Sequence, residues 1–135
     1  MTTIKSYTDI SQSKKLAEIL LLETADMYYP WYIEDDGDTI ESGHRISTPN
    51  IGDFITHKIN KMILPCWSLA ALLNTLNSID GWYPGIDAQV GEDNLWQICM
   101  FSYETGSDIN TAATNKELVD TCYEVILKLK EKNLL

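Results

Sequence analysis

The run of apolar and polar positions divides the chain into a helical start, a strand-bearing middle and a helical end. Near the N-terminus Leu16, Ile19, Leu20 and Glu23 follow i, i+3, i+4, i+7 spacing, with Lys14, Lys15 and Glu18 turned outward. That pattern predicts an amphipathic helix over 12–25, capped by Asp9 or Ser11. Residues 27–33 (MYYPWYI) are aromatic and strand-like, but Pro30 supplies no ladder donor and confines them to a sheet edge. Residues 34–43 then read as an exposed acidic loop. Thr48-Pro49 is a helix-start signal, and Ile51, Phe54, Ile55, Ile59 and Met62 predict a helix over 49–61, with a strand over 53–59 as the rival.

Pro65 breaks the pattern. Leu69, Leu72, Leu73 and Leu76 predict a short, strongly apolar helix over 67–76, and Asp80-Gly81 and Pro84-Gly85 are turn signals. Ile86, Ala88 and Val90 alternate with Asp87 and Gln89 as a half-buried strand should. Residues 91–94 make a tight polar connection to 95–103 (LWQICMFSY), a strand apolar on both faces and therefore central. A four-residue loop forces these two strands to be antiparallel. Residues 105–113 read as a polar connection with room for a short third strand. Thr114 and Glu117 form a capping-box pattern ahead of a final helix striped by Leu118, Val119, Cys122, Val125, Ile126 and Leu129. Its outer face carries Asp120, Glu124, Lys128 and Glu131, with Glu124 and Lys128 ordered for an i, i+4 pair, and Lys128, Lys130 and Lys132 oppose the helix dipole. The expected fold is α+β: a two-layer sandwich whose small antiparallel sheet is covered by helices, the C-terminal amphipathic one among them.

Composition adds bounds. A chain of 135 residues with 44% hydrophobic positions is the size of one domain, spanning 1–135, and buries enough surface to need no metal or disulfide staple. Four Trp and seven Tyr supply large side chains for a core or an interface. No apolar run is long enough to span a bilayer, and the N-terminus lacks the apolar core of a signal peptide. Cys66, Cys99 and Cys122 are odd in number, far apart and set in apolar runs, which fits small buried hydrophobes in a reducing cytoplasm.

Charge changes the picture more. The net charge is −10, from 20 acids and 10 bases. Between Glu23 and Glu41 there are seven acids and no base, and between Met62 and Asn115 six acids (Asp80, Asp87, Glu92, Asp93, Glu104, Asp108) and no Lys or Arg. Direct binding to a nucleic-acid backbone needs clustered bases, so that function class is disfavoured.

Candidate chemistry is sparse. The acidic run at Glu34, Asp35, Asp36 and Asp38 lacks the alternation and distal Glu of a calcium loop, and charge runs are most often solvated loops. His44 and His57 stand thirteen apart with no second ligand at zinc spacing. No Gly-rich phosphate loop and no nucleophile turn is present, and Ser68 after Trp67 reads as a helix-start residue. These patterns designate no catalytic, cofactor-binding or metal-binding residue. The aromatic cluster Tyr28, Tyr29, Trp31, Tyr32, with Trp82 and Tyr83, is the remaining candidate: a recognition surface, since Trp and Tyr anchor interfaces, or core packing.

Residues 13–29 (SKKLAEILLLETADMYY), 64–73 (LPCWSLAALL) and 120–135 (DTCYEVILKLKEKNLL) resemble a large family of short proteins of gut Bacteroidales, often encoded near prophage or other mobile-element genes. Residues 33–63 are the variable part of that resemblance. It implies a bacterial cytoplasmic α+β protein and carries over no activity and no functional residues.

Three function classes follow as expectations. The first is a non-enzymatic accessory or interaction protein of a mobile element, meeting a protein with a basic surface. The second is a DNA-mimicking inhibitor of a nucleic-acid-binding protein, which needs its carboxylates arrayed on one face. The third is a small enzyme whose site assembles from distant residues such as His44 or His57 and acids in a cleft.

Overall fold

In the computed structural model, residues 4–30, 33–35, 38–40, 63–108 and 112–135 are described. Among them the chain forms three α-helices and small antiparallel sheets, an α+β fold that ends in a helix. The chain divides into two compact units, Asp9–Ser68 and Met1–Thr8 with Leu69–Leu135.

The Asp9–Ser68 unit opens on α1 (Ile10–Ile19). Asp9 is its N-cap: the carboxylate accepts from the Gln12 amide at 2.8 Å, and the Gln12 side chain accepts from the Asp9 amide at 3.1 Å. This reciprocal cap satisfies two of the orphan donors of the first turn. The helix stops at Ile19, short of the predicted Ala25, because Leu20 and Leu21 turn extended before a single 3-10 turn at Leu22–Thr24. Leu16 and Leu20 are buried, so the predicted stripe is kept in part without a continuous helix.

Strands β1 (Met27–Pro30) and β4 (Ile63–Cys66) pair antiparallel, with Tyr28 opposite Pro65 and Pro30 opposite Ile63. Pro65 therefore lies inside a strand instead of breaking the chain. Among the described residues this sheet has two strands, so each has a side without a described ladder partner, where a proline costs no ladder bond. The described part of the predicted acidic loop is strand, β2 (Ile33–Asp35) paired with β3 (Asp38–Ile40). Helix α1 packs on β4. Trp67, fully buried, donates its indole N–H to Thr24 Oγ1 at 2.9 Å, which keeps a buried polar handle satisfied. The helix predicted over 49–61 and its rival strand lie outside the described residues.

The other unit carries α2 (Leu69–Asn77), the sheet β5 (Trp82–Val90), β6 (Leu95–Ser102) and β7 (Ala113–Asn115), and α3 (Leu118–Glu131). The strand order is β5-β6-β7, all antiparallel, so β6 is central as its two apolar faces require. The 91–94 turn joins β5 to β6, with Gly91 and Asn94 both at positive φ. Strand β5 begins four residues earlier than its predicted start: Pro84-Gly85 is not a turn but strand, paired with Met100 and Cys99. An edge strand tolerates Pro84.

Helix α3 packs on β6 and β7 and buries Val119, Cys122, Val125, Ile126 and Leu129 against Ile98, Met100 and Ala113. That is the predicted stripe, with Leu118 only half-buried. The predicted capping box does not form. Thr114 belongs to β7, the N-cap is Glu117, and Asn115 Oδ1 accepts from the Glu117 amide at 3.2 Å. The predicted Glu124–Lys128 pair is replaced too: Glu124 accepts from Asn115 Nδ2 at 3.3 Å, and Lys128 Nζ donates to the Ala112 carbonyl. The segment before Thr8 is tied to the same layer. Ser6 accepts from the Leu69 amide at 2.9 Å, Lys5 pairs with Asp120 at 2.7 Å, and the Lys5 amide donates to Glu117 Oε2 at 3.2 Å. No described helix is long and apolar enough to cross a membrane.

Candidate interaction surface

In a sheet, directly opposed residues point to the same side and successive residues to opposite sides. The register therefore sorts the β5-β6-β7 sheet into two faces. One holds Ile98, Met100 and Ala113, all buried under α3. The other holds Tyr83 opposite Phe101, Gly85 opposite Cys99, and Asp87 opposite Gln97, which is in turn opposite Thr114. On this second face Asp87 and Thr114 are exposed, and Tyr83, Gly85, Gln97, Cys99 and Phe101 are half-buried.

Three aromatic rings gather at one end of that face. Tyr83 stacks on Phe101 with centroids 5.6 Å apart and planes at 27°, and lies 4.8 Å from Tyr103 at 48°. Tyr103 is 69% exposed. A tight turn fixes it there. The Tyr103 amide donates to the Gly81 carbonyl at 3.0 Å, Gly106 at positive φ closes onto Ser102 at 2.8 Å, and the Ser102 amide donates to Ser107 at 3.0 Å. Ser102 Oγ also accepts from the amides of Glu104 and Thr105. The chain then returns so that Asp108 makes an isolated bridge to Phe101, which places Asp108 on the other side of Phe101 from Tyr83.

The surface is negative. All six acids of the base-free stretch are exposed: Asp80 and Glu104 at one end of the hairpin, Glu92 and Asp93 at the other, Asp87 and Asp108 on the aromatic face. Cys99 sits between those last two. Burial pushes its thiol pKa up, and the charges of Asp108 and Asp87 push it further, so the residue is held as a neutral thiol rather than a nucleophilic thiolate. Cys122, in the core under α3, is pushed up to about 12 by burial.

The sequence-level candidates fare unevenly. Tyr83 lies at the centre of the ring group, whereas Trp82 is half-buried on the α3 side of the sheet. Tyr28 and Tyr29 belong to the other unit, with Tyr29 buried as a core residue. Trp31, Tyr32, His44, His57 and Asp36 lie outside the described residues. Glu34, Asp35 and Asp38 are in β2 and β3. Ser68 immediately precedes α2 and is bound to Asp26, whose Oδ1 accepts from the Ser68 amide at 2.9 Å and whose Oδ2 accepts from the hydroxyl. Phe101 and Tyr103 were not singled out by sequence. Their signal was the alternation that sets Cys99, Phe101 and Tyr103 on one side of the strand, and it gains meaning only once Tyr83 is known to lie opposite Phe101.

Ile86, expected on the buried face of a half-buried strand, is 42% exposed. It lies beside an open groove of about 440 Å³ lined by Ala70, Leu73, Asn74, Asn77, Pro84 and Ile86, where the short α2 leaves that part of β5 uncovered. Among the described residues no group of three or more His, Cys, Asp or Glu is placed to hold a metal ion. No family model, no curated protein and no solved structure matches the chain.

Proposed function

We propose that this chain is a non-enzymatic interaction protein, an accessory of a bacterial mobile element, that meets a partner protein with a basic surface through the outer face of its three-stranded sheet. One observation carries the reading: the face turned away from α3 combines a half-buried stacked pair, Tyr83 and Phe101, and the exposed ring of Tyr103 with carboxylates and no base in the surrounding sequence. Aromatic side chains bring contact area at small entropic cost and are enriched where interfaces are strongest. A one-signed charge field speeds encounter with an oppositely charged partner and rejects acidic ones.

The bases of this unit support the same division of labour. Lys116, Lys128, Lys130 and Lys132 sit on or beside α3, and Lys5 is held by Asp120. The helical layer thus holds this unit's bases, balanced by Glu117, Asp120, Glu124 and Glu131, whereas the stretch that forms the sheet holds acids alone.

The test is affinity capture from the source organism with the wild-type protein and two charge-reversal variants, Asp87→Lys on the sheet face and Glu131→Lys on the exposed end of α3. The reading expects a partner of basic surface, released by raised salt, that Asp87→Lys loses and Glu131→Lys keeps. Equal retention by both variants would remove it. Competition by duplex DNA for the captured partner would identify the partner surface as a nucleic-acid site and turn the reading toward a DNA mimic.

A further inference from the structure

Strand β5 stands at the end of the β5-β6-β7 order, so one of its edges has no strand beside it among the described residues. In an antiparallel pair, residues that exchange both backbone bonds with the partner strand alternate with residues whose N–H and C=O point away from it. The Tyr103 amide donates to the Gly81 carbonyl, which puts Gly81 in the first class and, at two-residue steps, Tyr83 and Gly85 with it. Trp82 falls in the second class. Its amide bonds outside the ladder, to the Ile79 carbonyl at 3.1 Å, and the amide of Ser102 opposite it turns to Ser107. Pro84 and Ile86 follow Trp82 in the alternation. The outer edge therefore presents the Pro84 carbonyl and both the N–H and the C=O of Ile86, and proline stands where β6 asks for no donor.

The same stretch is open on both sides. Ile86, Asp87 and Ala88 are all exposed, and the groove of about 440 Å³ between α2 and β5 is lined by Ala70, Leu73, Asn74, Asn77, Pro84 and Ile86. A residue paired with Ile86 at the outer edge would turn its side chain to the side of Ile86, into this groove, and its neighbours to the face of Asp87. Such an edge takes an extended segment: backbone bonds supply affinity, and pockets for alternate side chains supply selectivity. The usable edge is short, because Pro84 withholds a donor and the register shifts between Asp87 and Val90. Prolines and bulges of this kind keep long edges from joining one another. Two copies of a chain of net charge −10 would also meet with like charge. A short basic segment meets neither obstacle.

We infer that the outer edge of β5 at residues 84–86 takes an extended segment of the partner protein as an added antiparallel strand, with an aliphatic side chain in the α2–β5 groove and a lysine or arginine opposite Asp87. This rests on the proposed partner of basic surface, and it adds how the partner's chain is held.

The experiment is NMR titration of the ¹⁵N-labelled full chain with acetyl-Thr-Lys-Val-Thr-Val-Thr-amide, whose central Lys-Val-Thr-Val matches Asp87, Ile86, Gly85 and Pro84 in antiparallel register. Two analogues are titrated beside it, one N-methylated at the first valine and one with glutamate in place of lysine. In the free chain the Ile86 amide should exchange with solvent faster than those of Tyr83 and Gly85. The peptide should slow that exchange and shift the amides of Leu73, Ile86 and Asp87 most. N-methylation removes one backbone donor and keeps charge and side chains, and should weaken binding about five- to ten-fold. The glutamate peptide should bind at least about two-fold more weakly. Ala70→Phe, which fills the groove from α2, and Ile86→Pro, which removes the outward N–H and leaves β6 its bonds, should each abolish binding, and the rest of the amide spectrum reports that they fold.

No binding of the first peptide, binding untouched by N-methylation or by both variants, or shifts confined to Tyr83 and Phe101 on the outer face would overturn the inference. A dimer of the free chain in sedimentation that Ile86→Pro dissolves would also overturn it and give the edge to a second copy. Captured partner lost by Asp87→Lys but held undiminished by Ala70→Phe overturns the strand site and leaves the basic-partner reading intact. Peptide binding as expected, beside a captured partner indifferent to Asp87→Lys, ends that reading and leaves the strand site standing.

Discussion

The ring of Phe101 lies over the Cα of Gly85: a Cβ placed on Gly85 would stand 2.4 Å from Phe101 Cε2 and 3.0 Å from Cδ2. Glycine in a strand interior usually weakens it, so its presence here marks the close approach of a neighbouring group. Phe101 takes its place over β5 only because no side chain stands there, and the ring row toward Tyr83 and Tyr103 follows from that. Gly85→Ala should cost about 1–3 kcal/mol in urea denaturation through overpacking. In a Phe101→Leu background the same change should cost less, and a double-mutant cycle should return a coupling of about 1 kcal/mol.

The layer beneath the sheet makes a contrasting prediction. Ile126 is fully buried under β6 and β7, whereas Ile86 borders the open groove. Ile126→Ala should lose about 2–5 kcal/mol, transfer and cavity costs together. Ile86→Ala should lose less than about 1.5 kcal/mol, since much of its side chain already meets water. Equilibrium denaturation midpoints measured on the two variants compare them directly.

Cys122 gives the stability a defined pH dependence. Its thiol pKa is raised from 9.0 to about 12 in the folded chain. Burial thus favours the neutral form, and this contribution is complete below the unfolded value of 9.0 and lost as pH rises toward the folded one. Between pH 9 and 12 the unfolded chain gives up the proton and the folded chain keeps it, so stability should fall by about 1.4 kcal/mol per pH unit from this group. Lysines and tyrosines titrate in the same range, and the difference between wild type and Cys122→Ala isolates the thiol. That difference should be flat below pH 9 and shrink above it.

Lys5 and Asp120 join the segment before Thr8 to the first turn of α3, with side chains 26% and 24% exposed. Partial exposure limits the pair to about 1 kcal/mol or less. Lys5→Met should therefore lower stability by no more than that, with an effect smaller at 1 M salt than at 0.1 M. Hydrogen exchange at the Leu69 amide, bonded to Ser6, should accelerate in the variant.

Much of this architecture was readable along the chain, and the misreadings share physical causes. The stripe of α3 and the doubly apolar β6 were legible because each is a long pattern of one period buried against one layer. Pro65 and Pro84 were misread as breaks because a proline signals a turn locally, yet a strand without a described ladder partner on one side absorbs it at no cost in pairing. Thr114 and Glu117 match a capping box in spacing, but β7 claimed Thr114 for the sheet, a tertiary pairing that no local window contains. The 12–25 helix was overextended because Leu20 continues the apolar spacing while its backbone has already left the helix. Tyr83 was legible as a candidate, but its ring partners were not. Phe101 and Tyr103 join it through cross-strand register and through the return of the 102–107 turn, and neither is set by spacing along the sequence.

The most direct test of the sheet face as the partner-binding surface is hydroxyl-radical footprinting of the protein alone and bound to its captured partner. Tyr103, 69% exposed when free, is the reporter on that face. Leu134 and Leu135, beyond the end of α3, serve as reporters away from it. The account predicts that the partner protects Tyr103 strongly and leaves the residues after α3 as reactive as before. Undiminished labelling of Tyr103 in a stable complex would contradict it.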